Sequence, residues 1–232
     1  MNTTQRCVFA FVLTGAVMMA KPASAQRFGF GRTNTLTSLA ANDAVQKHLG
    51  IAGDAAAKLS SLGDEYRAAS QKEFTALGID YTAISDLPAA ERAVEMRKAS
   101  EKSADVSRKL NAAFLPKLQQ VLAPDQLERL KQIQLQASGI DQWTEPEIAK
   151  ELDLSDEQKQ KLTDLRNEYN HRQQQLDGDF QQRFARIREL NNERDNKALE
   201  LLTTMQKAKL EELKGPAFDV SQLGFGRRRG NN

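Results

Sequence analysis

An all-α fold is the class that this 232-residue sequence predicts, and three observations carry it. Ala, Leu, Glu, Gln, Lys and Arg dominate, whereas β-branched and aromatic residues are sparse, a composition that favours helix over sheet. No segment alternates apolar and polar residues over the length of a strand. A short phrase recurs where helices should begin: Leu152-Asp153-Leu154-Ser155-Asp156-Glu157-Gln158 and Leu201-Leu202-Thr203-Thr204-Met205-Gln206. A worn copy stands at Val121-Leu122-Ala123-Pro124-Asp125-Gln126.

The elements follow in order, four in each half of the chain. A short helix over 37–49 leads through Gly50-Ile51 to a long helix over 54–77, with Asp54 as the expected cap. Pro88 opens a long return helix over 87–122, because proline's missing N–H costs nothing in a first turn. Pro116 sits inside that segment and predicts a kink or a break. Pro124 starts a shorter helix over 124–138, with Leu122 and Leu127 at the two hydrophobic-staple positions.

In the second half, Thr144 and Glu147 form an expected capping box that opens a helix over 145–152. Ser155 and Gln158 form the next box and start a helix over 156–176, where Asp156 and Glu157 suit the positive helix end. Asp177-Gly178-Asp179 predicts a turn into a helix over 179–202. One continuous helix through Gly178 is the alternative, since Leu176, Phe180, Phe184 and Ile187 keep helical spacing. Thr203 and Gln206 box the start of a last helix over 204–214, and Gly215-Pro216 stops it.

The two halves are related. Leu49-Gly50-Ile51, which ends the segment from Asn42, aligns with Leu152-Asp153-Leu154, which ends the segment from Thr144. Leu59 to Arg67 aligns with Leu162 to Asn170 at the same offset. The expected organisation is a first helical repeat over 37–139, a junction over 140–144 and a second repeat over 145–215. Segments 26–36 and 216–232 are expected to be flexible. Trp143, the sole tryptophan, falls in the junction and is expected to pack the halves together.

Residues 1–25 predict a cleaved secretory signal: Arg6, an apolar run from Cys7 to Ala20, and a small-residue site at Ala23-Ser24-Ala25. Removing them takes two bases and no acid, which leaves 31 residues of each sign and little case for a nucleic-acid binder. It also removes Cys7, the only cysteine, so packing alone must hold the fold. No other segment is apolar enough to span a membrane.

With its paired phrase, the chain resembles the Spy/CpxP (LTxxQ motif) family. The residues that carry the likeness are Leu154, Ser155 and Gln158, Leu202, Thr203 and Gln206, and in the first half Leu122 and Gln126. The resemblance implies an exported, all-helical periplasmic protein of the envelope stress response. Each half would correspond to one family subunit of long and short antiparallel helices, so the tandem chain could act as a single-chain pseudo-dimer. Family members include ATP-independent chaperones, stress-signalling regulators and zinc-responsive proteins. The function expected here is non-covalent binding of partly unfolded envelope proteins. The alternative is a regulatory or structural role with one specific protein partner.

The motif residues themselves read as helix caps. The candidate client surface is Phe180, Phe184 and Ile187, an apolar stripe flanked by Arg183, Arg186 and Arg188. The competing reading makes that stripe the packed inner face of the hairpin. His48 and His171 have no neighbour at metal-ligand spacing, so zinc binding is not expected. No nucleophile elbow, phosphate loop or metalloprotease helix is present, and neither an enzyme nor a cofactor is expected. The matching tails, Phe28-Gly29-Phe30-Gly31-Arg32 and Gly224 to Gly230, predict disorder.

Overall fold

The computed structural model describes residues 34–223, apart from the side chains of Gln174 and Phe180. The expected signal segment and both Phe-Gly-Arg tails lie outside the described residues. Those described form eleven α-helices and one closing 3-10 turn, without a strand. None of these helices is long and apolar enough to cross a membrane.

The first half starts as two short helices where one was expected. α1 (Leu36–Ala40) is capped by Thr35, and α2 (Asp43–His48) by Asn42, whose Oδ1 accepts the N–H groups of Ala44 and Val45 at 2.9 and 3.3 Å. That second cap divides the segment. α3 (Gly53–Ala76) begins at Ala52 with no side-chain cap, so Asp54 lies within the first turn and does not cap it. α4 (Tyr81–Ser85) is an extra turn capped by Asp80.

α5 (Ala89–Gln119) runs through Pro116 without the expected break. Buried Phe114 and Leu118 anchor the chain on either side of the exposed proline, and the helix ends within a turn of it. Only one internal hydrogen bond is forfeited. α6 (Pro124–Ser138) follows, then a single turn, α7 (Ile140–Trp143), inside the expected junction.

In the second half α8 (Pro146–Glu151) takes Glu145 as its N-cap. Thr144 instead closes α7, so the expected Thr144–Glu147 box does not form. α9 (Asp156–Gln174) and α10 (Phe180–Glu200) are separate helices packed as a hairpin, which excludes the continuous-helix alternative. Asp179 decides the point: its Oδ1 accepts the Gln182 N–H at 2.9 Å and so starts a new helix. α11 (Thr204–Lys214) completes the set.

Two principal cores hold these helices. Core 1 joins Leu39, Val45, Leu59, Leu118, Leu130 and Ile133 from α1, α2, α3, α5 and α6. Core 2 joins Leu135, Ile140, Trp143, Leu162, Ala198, Leu202 and Leu210. A smaller cluster of Tyr66, Leu110 and Phe114 lies farther along the α3–α5 hairpin.

α6 serves both cores. Leu130 and Ile133 share one helix face and fill core 1, while Leu135 points away from them into core 2. The same helix holds both ends of the described chain. Asn34 Nδ2 donates to the Ala137 carbonyl and Gln134 Nε2 to the Asn34 carbonyl, each at 2.8 Å. Gln136 Nε2 donates to the carbonyls of Lys214 (2.6 Å) and Pro216 (2.9 Å), and its Oε1 accepts the Phe218 N–H at 2.7 Å.

Thr35 and Phe218 are buried, Phe218 in core 1 although it follows the last helix of the second half. The 139/145 junction does not separate two self-contained cores, and residues 34–223 fall within one compact unit.

Candidate functional site

The recurring phrase builds a joint. Ser155 Oγ accepts the Gln158 N–H (3.1 Å) while Gln158 Oε1 accepts the Ser155 N–H (3.0 Å). Thr203 and Gln206 repeat this at 3.2 and 2.9 Å. Both are complete capping boxes. Gln126 keeps one half, its Oε1 accepting the Ala123 N–H at 3.0 Å, because alanine offers no oxygen in return. Leu122, Leu154 and Leu202 are buried beside these starts.

The glutamines do more than cap. Gln158 and Gln206 face each other and exchange two amide hydrogen bonds, at 2.8 and 3.0 Å. Each also crosses to the opposite loop, Gln158 Nε2 to the Leu201 carbonyl (2.9 Å) and Gln206 Nε2 to the Asp153 carbonyl (3.0 Å). The pair therefore pins the start of α9 to the start of α11 with near two-fold symmetry. In the first half Ala55 stands where Gln158 would, and Gln126 donates alone to the Leu49 carbonyl at 3.1 Å.

Asp153 occupies a left-handed conformation, φ 48°, at the place where Gly50 (φ 66°) turns the first half. A side chain there is strained, and asparagine, aspartate or glycine are the residues that tolerate it. Asp153→Gly should therefore raise stability by about 0.5–1 kcal/mol, since the Gln206 contact uses only the backbone. A rise in the urea midpoint at unchanged slope is the expected reading.

Farther along the second hairpin the helices are fastened by charge. The Tyr169 ring is fully buried, with the Arg172 guanidinium 4.5 Å and the Lys197 ammonium 5.4 Å from its centre. Arg172 grips Glu193 with two nitrogens (3.3 and 3.1 Å), and Lys197 reaches the same carboxylate at 3.3 Å. The nearby Tyr169 phenol, Arg172 and Lys197 hold the Glu193 carboxyl down to about 2, although the phenol itself falls short of a well-formed hydrogen bond. Tyr66, at the matching place in the first hairpin, donates to Asn111 Oδ1 at 3.0 Å.

Arg194 is the one buried charged side chain among the described residues, 6% exposed. It bonds Asp195 at 2.9 Å and lies 3.7 Å from Asp141 on α7. Burial pushes the Asp195 carboxyl up, against the pull of Arg194.

Beyond Tyr169 and Arg194 the two helices stay in contact, with Gln173 Nε2 donating to Asn191 Oδ1 at 2.7 Å, but burial becomes partial. Among the described side chains from 170 to 193 none is buried. The predicted client surface lies here. Phe184 and Ile187 are half-buried, and Arg183, Arg186 and Arg188 are exposed. Arg188 stacks 5.2 Å from the Phe184 ring centre, and Phe180 is the first residue of α10. The structure thus brings the stripe and its arginines onto the distal hairpin, away from core 2.

Neither histidine gathers metal ligands. His171 pairs with Gln175 (3.2 Å) and His48 with Arg129, and no cluster of three ligating side chains forms among the described residues. Two shallow depressions flank the motif, of about 460 and 290 Å³, both open to solvent and sharing Asp153. Met205, 84% exposed, lines the second.

The glutamine pair, the Tyr169 clasp and Arg194 escaped the sequence reading. Only the alignment of Tyr66 with Tyr169 hinted at any of them. The comparisons with known proteins find no matching family model, no similar curated protein and no similar solved structure.

Proposed function

We infer that the chain is an exported, ATP-independent chaperone-like protein that binds partly folded envelope proteins non-covalently on its hairpins. The observation that carries this reading is that none of the described side chains between 170 and 193 is buried, along a hairpin whose apolar stripe is bordered by cations. A helix pair that served only its own core would end near its last buried residue, because bare helical length is only marginally stable. Here the pair continues and presents Phe184, Ile187 and Arg188, with Arg183 and Arg186 making no ion pair among the described residues. The first hairpin is built alike, Ala99 being the one buried residue between Arg67 and Lys109.

Such a surface suits reversible capture. Partly covered apolar groups gain by meeting an exposed chain, and mobile arginine stems adapt to different partners. Release needs no nucleotide, since each contact is weak. The signal-like residues 1–25 and the resemblance of the paired motif to the Spy/CpxP family support an envelope location.

The test is the aggregation of two unrelated denatured clients in the presence of the mature protein. Protection of both is expected. Phe184→Ser should keep the helical circular dichroism and shift the melting temperature by less than about 2 °C, since a half-buried site costs little. It should also lose most of the protection. Failure to protect either client at several-fold excess would overturn the reading and leave the role of binding one specific partner.

A further inference from the structure

We propose that Asp177-Gly178, at the tip of the α9–α10 hairpin, is a site of spontaneous aspartate-to-isoaspartate modification, and that this change uncaps α10. The chemistry lies within the two residues. The Gly178 amide nitrogen attacks Cγ of the Asp177 carboxyl group and forms a C–N bond, while the amide proton and the carboxyl hydroxyl leave as water. The product is a five-membered succinimide ring, to which water then adds at either carbonyl. Opening at Cγ restores aspartate. Opening at the main-chain carbonyl leaves isoaspartate, whose main chain runs through Cβ and Cγ. One water is lost and one regained, and nothing is oxidised or reduced.

Sequence and structure single out this aspartate together. Asp177-Gly178 is the one Asp-Gly pair in the chain, and there is no Asn-Gly pair. Glycine matters because a side chain on the following residue would crowd the ring as it closes. Both residues lie between α9 and α10 and are exposed. Among the described residues no acceptor takes the Gly178 N–H, and the Asp177 carboxylate makes no hydrogen bond or ion pair. The two groups are therefore free to meet. Asp64, Asp105 and Asp164 differ on each count. They precede Glu65, Val106 and Leu165 inside helices, where the attacking N–H is committed to the carbonyl four residues back.

The modification falls on the contacts that start α10. Asp179 Oδ1 accepts the Gln182 N–H at 2.9 Å. Gln182 in turn folds back over the turn, its Oε1 lying 2.8 Å from where a side chain on Gly178 would begin. Gly178 holds φ 112°, a conformation open to glycine and strained for other residues. Isoaspartate inserts a methylene into the main chain two residues before the Asp179 cap. The lengthened turn shifts Asp179 against the helix it caps, and the bond to Gln182 is lost.

Ageing the protein in warm neutral buffer tests this, with peptide mapping and electron-transfer dissociation to locate isoaspartate. Isoaspartate should accumulate at residue 177 ahead of every other aspartate, without a change of mass. Its rate in the folded protein should lie within about threefold of the rate in urea, because an open turn costs almost nothing to unfold locally. In the modified fraction the Gln182 amide should exchange about fivefold faster, the effect of losing one N-cap. Asp177→Glu keeps the charge but needs a six-membered ring, so ageing should yield neither the isomer nor a change at Gln182. Isoaspartate that forms at 177 only in urea, or first at another site, would overturn the proposal. So would equal Gln182 exchange in modified and unmodified protein, or the same ageing in Asp177→Glu.

Discussion

Trp143→Ala should lower stability by about 4 kcal/mol, the loss expected for emptying a tryptophan site in a packed core. Trp143 is 2% exposed and sits in core 2 with Leu135 from the preceding helix and Leu162, Ala198 and Leu210 from those that follow. Removing it opens a cavity at the place where both halves of the chain meet. Urea unfolding followed by far-ultraviolet circular dichroism reads the effect. For a chain of this size it corresponds to roughly 8–16 °C in melting temperature. Trp143→Phe is the control. The indole N–H has no hydrogen-bond partner among the described residues, so losing it forfeits only volume, and about 1–2 kcal/mol is expected. A cost below about 1 kcal/mol for alanine would mean that Trp143 does not hold core 2 together.

Gln158→Ala should cost about 2–3 kcal/mol. It strips a partner from the Ser155 N–H, the Leu201 carbonyl and both polar atoms of the Gln206 amide. These groups are only half-buried, so water recovers part of the loss. The diagnostic result is non-additivity. Once Gln158 is gone, Gln206 has lost half its purpose, and the double variant should cost about 1–2 kcal/mol less than the sum of the singles. Gln126→Ala, which removes two hydrogen bonds, should cost about 1 kcal/mol. Equal and additive losses at all three positions would show the glutamines to be independent caps.

The contrast between Gln126 and Gln158 shows how far the sequence could be read. Both glutamines were legible as the return half of a capping box, because that contact spans three residues. Nothing within three residues of Gln158 announces Gln206, which is 48 positions away. The misread caps fail for a related reason. Thr144 has the right neighbours for a box, but the turn of α7 beneath buried Trp143 already uses it as a helix end. Pro116 breaks isolated helices, yet Phe114 and Leu118 are each tied into a cluster and carry the helix past it.

The stripe proposed to meet clients was legible as residues, but its degree of exposure was not. Phe184 and Ile187 have the spacing of any core-facing pair, and spacing alone cannot say where a core ends. The burial pattern does, because among the described side chains full burial ends at Tyr169 and Arg194 while the helices continue.

By itself the sequence determined the helical class, most helix starts, and the turn at Asp177–Asp179 as the leading reading, since periodicity and caps act within about four residues. Only the tertiary structure decided that α6 serves two cores, that Phe218 returns to the first of them, and that Gln158 meets Gln206 and His48 meets Arg129. Those contacts join positions 48 to more than 80 residues apart. They are set by which faces the packed helices bring together, and no local pattern encodes that choice.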